Sequence, residues 1–205
     1  MSKSLWLVSN STILLGSSVG YLVLSFLIWE KLNGFSNIVW FNLFVFVGIC
    51  GASLLLSLIG RFIPLKLILA GGIGLQMLTY YLVWSGSLDV TVIAIIYAAG
   101  LGLQFSAMPE VGAAVYRQGD TSKSRARSEL IRNLVSITSP LIVWGVNSSI
   151  GYQQSMIIWI LVLAVALLCL LPVHIEVEKV SAAGISLLAK YFQDKQSRSA
   201  LHSMF

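Results

Sequence analysis

Six long apolar runs dominate this sequence and limit what the chain can fold into. Each run approaches the roughly 20 residues that an α-helix needs to cross about 30 Å of hydrocarbon. The runs are continuous and lack the two-residue alternation of β-barrel strands. The sequence therefore predicts an all-α integral membrane protein, a bundle of six transmembrane helices. Their predicted bounds are Leu5–Trp29, Asn37–Ile59, Leu67–Trp84, Val90–Tyr116, Leu130–Ile150 and Ser155–Val173.

Composition supports a lipid environment over an aqueous one. The chain is 57% hydrophobic and only 10% charged, with a mean hydropathy of +0.88, whereas soluble domains are about one quarter charged. The net charge of +5 is carried by short loops, with no basic face interleaved with aromatic residues. Membrane topology explains this charge better than nucleic-acid binding, which we exclude.

The distribution of Lys and Arg predicts the orientation of the chain in the membrane. Cytoplasmic loops of membrane proteins carry an excess of these residues. With the N-terminus in the cytoplasm, Lys31 alone lies outside, so both termini are predicted to be cytoplasmic. The residues then placed inside are Lys3, Arg61, Lys66, Arg117, Lys123, Arg125, Arg127, Arg132, Lys179, Lys190, Lys195 and Arg198.

The chain divides into a transmembrane domain, residues 1–173, and a cytoplasmic tail, residues 174–205. In the tail, "KVSAAGISLLAKYFQDK" places Ile185, Leu188 and Phe192 near one helical face. This pattern predicts an amphipathic helix at the membrane surface. A poorly ordered terminus is the alternative interpretation.

Few residues are suited to catalysis or to metal binding. Cys50 and Cys169 lie in apolar runs, where thiols behave as small hydrophobic groups. The two histidines, His174 and His202, follow the last span, so neither can be placed beside a serine in the membrane. We therefore expect no metal, no cofactor and no enzymatic activity.

Three polar residues near the middle of their spans are candidate substrate contacts. These are Gln76, Tyr97 and Gln104. Transporters often bind their solutes at this depth. Amides and hydroxyls inside the membrane also hold helices together, which is the more common role.

Glu110 is the acidic residue inside a predicted span. An unpaired charge in hydrocarbon costs several kcal/mol, so such residues pair, face a cavity or carry protons. Its depth, about 10 Å from the middle of the span towards the cytoplasm, favours a structural ion pair or a cytoplasmic gate over proton coupling. Its candidate partners are Arg61, Lys66, Arg117 and Arg132.

Small residues and prolines mark predicted contacts and bends. Glycines allow membrane helices to approach closely, and an interior proline removes one backbone donor. Close packing is predicted at Gly16, Gly20, Gly100 and Gly102, and a bend or hinge at Pro109 and Pro140.

The arrangement resembles one six-helix half of a major facilitator superfamily transporter. The resemblance rests on six spans with both ends inside, the short basic loop "GRFIPLK", "AAGLGLQFSAMPE" in span four, the loop "SKSRARSELIRN" and "SPLIVWG" in span five. The loop lacks the family's Asp and second Gly, and Ile96 stands where the family's span-four arginine is expected. In the family, an acid near the inner end of span four helps to lock the cytoplasmic gate, which implies that role for Glu110.

The resemblance implies a transporter of a small solute in the cell membrane. Two halves normally surround the solute site, so a second half is needed. The partner would be a second copy of the chain in a homodimer, a separate six-helix half or a larger membrane complex, unless the chain is a truncated form of a longer protein. The alternative is a non-catalytic accessory or structural subunit of such a complex.

Overall fold

The structure, a computed structural model, describes residues 2–32, 35–59, 62–86, 89–116 and 121–173. These residues form six α-helices and no strand, which confirms the predicted all-α class. The tail from residue 174, with its predicted amphipathic helix, lies outside the described residues. The helices are α1 (Ser2–Leu32), α2 (Phe35–Ile59), α3 (Leu65–Trp84), α4 (Val90–Tyr116), α5 (Thr121–Ile150) and α6 (Tyr152–Leu170).

Five of these helices are long and apolar enough to cross a membrane: α1, α2, α3, α4 and α6. A multi-pass helical membrane protein is confirmed to that extent. The fifth helix, α5, has 30 residues but is more polar. Asn133, Ser136 and Thr138 all lie exposed on its surface. Its assignment as a sixth span remains a prediction.

The start of α5 corrects the sequence prediction. The segment "TSKSRARSE" was expected to be loop, with the span beginning at Leu130, but the helix begins at Thr121. Ala, Arg, Lys and Glu are good helix formers, and hydropathy carries no information about a helix that continues into water. The polar segment is therefore an extension of α5.

The helices pack in a continuous order around α1. α2 packs on α4, α4 on α3, α3 on α6, α6 on α1 and α1 on α5. α1 also contacts α2, α3 and α4. Buried residues therefore follow α1 along most of its length, including Trp6, Ile13, Leu24 and Ile28. The most enclosed part of the bundle is the neighbourhood of α1, where the polar groups described below are found.

Glycines lie where the helices approach most closely. A Cβ added to Gly16 of α1 would come 2.7 Å from Cδ2 of Leu163 in α6, and one added to Gly20 would overlap the Tyr80 side chain. In α4, a Cβ on Gly102 would overlap Ala52 of α2. Because lipid tails are as apolar as these side chains, close packing supplies much of the association energy that hydrophobic exclusion supplies in water.

α3 and α4 carry the same five-residue pattern at their contact, Gly-Ile/Leu-Gly-Leu-Gln, at residues 72–76 and 100–104. The two segments pair antiparallel. A Cβ on Gly72 would lie 2.8 Å from the Gly100 carbonyl oxygen, and one on Gly100 would lie 2.9 Å from the Gly72 oxygen. This reciprocal contact brings the side chains of Gln76 and Gln104 together, 3.2 Å between Nε2 and Oε1.

Candidate functional site

A cavity of about 490 Å³ lies between α1, α2 and α4. It reaches the middle of α1, since Ser17 is the central residue of a helix that runs from Ser2 to Leu32. The described residues that line it are Ile13, Leu14, Ser17, Ser18, Tyr21, Asn42, Val45, Phe46, Ile49, Tyr97, Leu101, Gln104, Phe105 and Met108. Most of these are apolar, and the polar ones are Ser17, Ser18, Tyr21, Asn42, Tyr97 and Gln104.

Three buried side chains form a polar cluster at the wall of the cavity. The Ser17 hydroxyl lies 2.8 Å from Oε1 of Gln76 and 3.0 Å from Oε1 of Gln104, and can donate its one hydrogen to either. All three residues are buried, with exposed fractions of 7% or less. Gln104 is also among the residues that line the cavity, and its Nε2 is buried without a hydrogen-bond partner. Such an orphan donor is rare in a protein interior.

Aromatic rings form a second wall. Tyr97 of α4 is fully buried, donates its hydroxyl hydrogen to the Ser17 carbonyl oxygen at 2.9 Å, and stacks on Tyr21 and Phe41. The Tyr21 hydroxyl donates to Oδ1 of Asn42. The Tyr80 hydroxyl donates to the Gly16 carbonyl oxygen at 3.0 Å. These bonds tie α1 to α2, α3 and α4 and fix the shape of the cavity.

The structure brings the three predicted substrate contacts together. Tyr97 and Gln104 line the cavity, whereas Gln76 does not line it and donates a hydrogen bond to Gln104. Ser17, which the sequence did not indicate as a site residue, joins all three: its hydroxyl meets both amides and its carbonyl oxygen accepts from Tyr97. The repeated pattern in α3 and α4 could have indicated that Gln76 and Gln104 meet, because the two glutamines occupy equivalent positions in it.

One side of α1 beside the cavity is only half covered. The half-buried residues recur every third or fourth position, which places them on one helical face. Serine and leucine alternate along this stripe, so it is neither a typical lipid-facing surface nor a typical core. The stripe consists of Ser11, Leu15, Ser18, Leu22 and Ser25.

The predicted ionic partners lie in different places. The ammonium of Lys66 donates to the carbonyl oxygens of Leu171 and Val173 just beyond α6, at 3.0 Å for Val173. This places a cation at the negative end of the α6 dipole. Arg132 pairs with Glu129 three residues earlier on the exposed surface of α5, 3.4 Å apart. Neither residue pairs with Glu110 in the described part of the chain.

Glu110 is exposed on α4, one turn beyond Ser106. Because Ser106 hydrogen-bonds Ser53 of α2 at 2.9 Å, Glu110 follows the α2–α4 contact towards the end of α2 that leads to Arg61. Arg61 and Arg117 lie outside the described residues.

The two prolines predicted to mark bends lie inside helices. Pro109 precedes Glu110 in α4 and Pro140 lies in α5; each is exposed, and each helix continues through its proline. Because proline has no N–H, the carbonyl one turn before it loses its helical hydrogen bond. An exposed proline does so without forcing neighbouring helices apart. In α4, that turn contains Phe105, which lines the cavity.

The described residues contain no group of three His, Cys, Asp or Glu that could hold a metal ion. Both cysteines are free. The chemical capacity of this site is therefore hydrogen bonding and apolar contact rather than metal or thiol chemistry within the described part of the chain.

Comparison of the chain with protein-family models, curated proteins and solved structures finds no match. The resemblance to the major facilitator superfamily therefore depends on the sequence features alone.

Proposed function

We propose that this chain is one half of a membrane carrier for a small solute, of the major facilitator type, completed by a second six-helix body. The observation that supports this most is the cavity at the middle of α1, with its buried polar cluster and its orphan Gln104 amide. Solute sites of carriers lie at this depth, between two helix bundles. The half-covered stripe of α1 is the surface on which the second body would close.

The outer surfaces of α2 and α5 support the same proposal. α2 exposes Trp40, Leu43 and Val47, as expected of a helix against lipid. α5 exposes Asn133 and Ser136 at positions that would lie within or near the hydrocarbon if it spans the membrane. Polar side chains in that environment face protein or water far more often than lipid. We infer that α5 is the sixth span and that its polar side faces a partner or the solute pathway.

The remaining predictions belong to this proposal. Both termini lie in the cytoplasm, the protein lies in the cell membrane, and transport occurs by rocking of one bundle against the other. Glu110 with Arg61 forms the cytoplasmic gate. Lys66 is the weaker candidate partner, because its ammonium already holds the end of α6.

Cysteine labelling in intact membranes tests the proposal. In a background with Cys50→Ala and Cys169→Ala, Ser25→Cys and Ser136→Cys report on the stripe and on α5, and Leu161→Cys reports on an exposed apolar face of α6. A charged, membrane-impermeant methanethiosulfonate needs an aqueous path and an ionised thiol. We expect it to modify both serine positions at least ten times faster than Leu161→Cys.

Equal, negligible rates at all three positions would contradict a water-accessible pathway and favour the accessory-subunit alternative. The partner is identified by the mass of the purified particle, measured by light scattering with the detergent subtracted. A homodimer has twice the 22.3 kDa of the chain. A strict monomer with unreactive cysteines would overturn the carrier proposal.

A further inference from the structure

Gln104 has an unmet hydrogen bond that its own protein does not satisfy. Its side chain is 1% exposed, and its Oε1 already interacts with Ser17 and Gln76, at 3.0 and 3.2 Å. Its Nε2 has no partner. Exchanging the oxygen and nitrogen of this amide alone would set two amide nitrogens 3.2 Å apart, so Nε2 is the atom left without a partner. A buried polar atom without a partner destabilises the protein.

The cavity beside Gln104 determines what could satisfy this atom. Eight of its fourteen lining residues are aliphatic, Phe or Met. None of the described residues that line it is Asp, Glu, Lys, Arg or His. A charged ligand would lose its hydration without gaining a counter-charge there, at a cost of several kcal/mol.

A lipid tail is also a poor occupant, because it has no polar atom at this depth to pair with Gln104. Ser17, which hydrogen-bonds Gln104, is the central residue of α1, so the cluster lies near the middle of that span. The middle of a bilayer contains hydrocarbon tails, while the ester and headgroup oxygens lie near its surfaces. An acyl chain would fill the apolar part of the cavity and leave Nε2 of Gln104 unpaired.

We propose that the cavity binds an uncharged, largely apolar small molecule with a carbonyl or similar acceptor oxygen, which takes a hydrogen bond from Nε2 of Gln104. The inference rests on the proposed carrier function and names its class of substrate. The cavity volume of about 490 Å³ is within the range of small-molecule sites. Tyr21 and Asn42 also line the cavity and offer a second polar contact.

Photolabelling of the purified full chain tests this ligand class. Benzophenone is a neutral, apolar ketone that forms a covalent adduct with nearby C–H groups on irradiation, so it serves as both ligand and label. We expect adducts on the cavity-lining parts of α1 and α4, mapped by peptide mass spectrometry. Methyl 4-benzoylbenzoate should label the same peptides, and the anion 4-benzoylbenzoate, of similar shape, should not.

Two variants and one control locate the label. Gln104→Leu removes the amide and should raise the benzophenone concentration for half-maximal labelling about fivefold, the effect of one neutral hydrogen bond. Gln154→Leu, at an exposed position of α6, should have no effect. Ser18→Phe fills the cavity without removing any of the three polar side chains and should abolish labelling of these peptides, which keeps the test valid if Gln104→Leu folds poorly.

The outcomes separate the two proposals. The neutral-ligand inference would be overturned by equal labelling by the anion, or by unchanged benzophenone labelling of Gln104→Leu. It would also be overturned if adding phosphatidylcholine to the micelles removed the label, because an acyl chain would then compete for the cavity. If benzophenone labels the cavity but the charged thiol reagent never reaches Ser25→Cys, the binding site stands and the carrier function fails. If the thiol reagent reacts and benzophenone does not label, the reverse holds.

Discussion

α4 meets α3 and α2 in two different ways. Its contact with α3 is backbone against backbone: a Cβ on Gly72 would lie 2.8 Å from the Gly100 carbonyl oxygen. Its contact with α2 at Gly48 is side chain against glycine: a Cβ on Gly48 would overlap the Cβ of Ala98, while the nearest Ala98 backbone atom lies 3.5 Å away. At Gly102, a Cβ would overlap the Cβ of Ala52, and the Ile49 backbone lies 3.2 Å away. The obstacle is a fixed peptide group in the first case and a removable methyl group in the second.

This difference explains where the bundle is closed and where it is open. Against α3, the reciprocal glycines leave no space, and the two glutamines are pressed together. Against α2, the helices touch at separate small residues, and Phe46 and Ile49 of α2 line the cavity with Leu101 and Phe105 of α4. The α3–α4 contact therefore holds Gln104 in place, and the α2–α4 side gives it a cavity to face.

The α3–α4 contact should tolerate change least. Gly72→Ala places a methyl group against a backbone oxygen that cannot move without shifting a helix. We expect it to lower the free energy of unfolding by about 1–3 kcal/mol, seen as a lower melting temperature of the purified protein in detergent. The matched control is Gly74→Ala, two residues along α3, where an added Cβ meets nothing within 4 Å.

For Gly74→Ala we expect no loss and a gain of up to about 1 kcal/mol, because Ala has the higher helix propensity. Equal melting temperatures for the two variants would show that the Gly72–Gly100 contact is not closed, and the contrast between the two sides of α4 would fail.

The α2–α4 contact should be repairable. Gly48→Ala adds a methyl group that overlaps the methyl of Ala98, and we expect a loss smaller than that of Gly72→Ala because a side chain yields more readily than a peptide group. Adding Ala98→Gly exchanges the two residues across the contact. The double variant should recover to within about 0.5 kcal/mol of the parent, the precision at which independent effects add.

A double variant no more stable than Gly48→Ala would mean that the backbones of α2 and α4, rather than the two side chains, limit the approach. The α2–α4 contact would then be of the same kind as the α3–α4 contact.

The sequence predicted this fold well because lipid imposes a simple rule. Runs as long and apolar as Val90–Tyr116 must be helical to satisfy their backbone, and the predicted bounds of α4 are those observed. Hydropathy failed at the start of α5, because a helical segment in water does not need apolar residues. It also could not indicate which face of α5 packs against α1, since that depends on helix rotation.

The candidate site was predictable only in part. Depth along a span identified Tyr97 and Gln104, which line the cavity, and could not distinguish them from Gln76, which lies behind it. That distinction depends on helix rotation, set here by the glycines of α3 and α4. Ser17 was not predicted because a serine among small residues is typical of a close helix contact. Its role appears only when α1 is placed against both glutamines.

The smallest expected effect lies at the end of the α2–α4 contact, beyond the Ser53–Ser106 hydrogen bond. If Glu110 pairs with Arg61 as a gate, Glu110→Gln and Arg61→Gln should each cost little and should not add. Exposed ion pairs contribute about 0.2–1 kcal/mol, so a double-mutant cycle on melting curves should give a coupling in that range. Glu110→Gln with Lys66→Gln is the matched control, and its coupling should be near zero because Lys66 binds the end of α6.

Transport measurements complete the test of Glu110. As a gate residue it should change the rate of solute movement while a proton gradient still drives uptake. If Glu110→Gln leaves the particle mass and melting temperature unchanged, shows no coupling to Arg61, and abolishes proton-driven uptake, the carboxylate carries protons. The α2–α4 contact would then end in a titratable group rather than in an ion pair, and the contrast with the sealed α3–α4 contact would extend from packing to function.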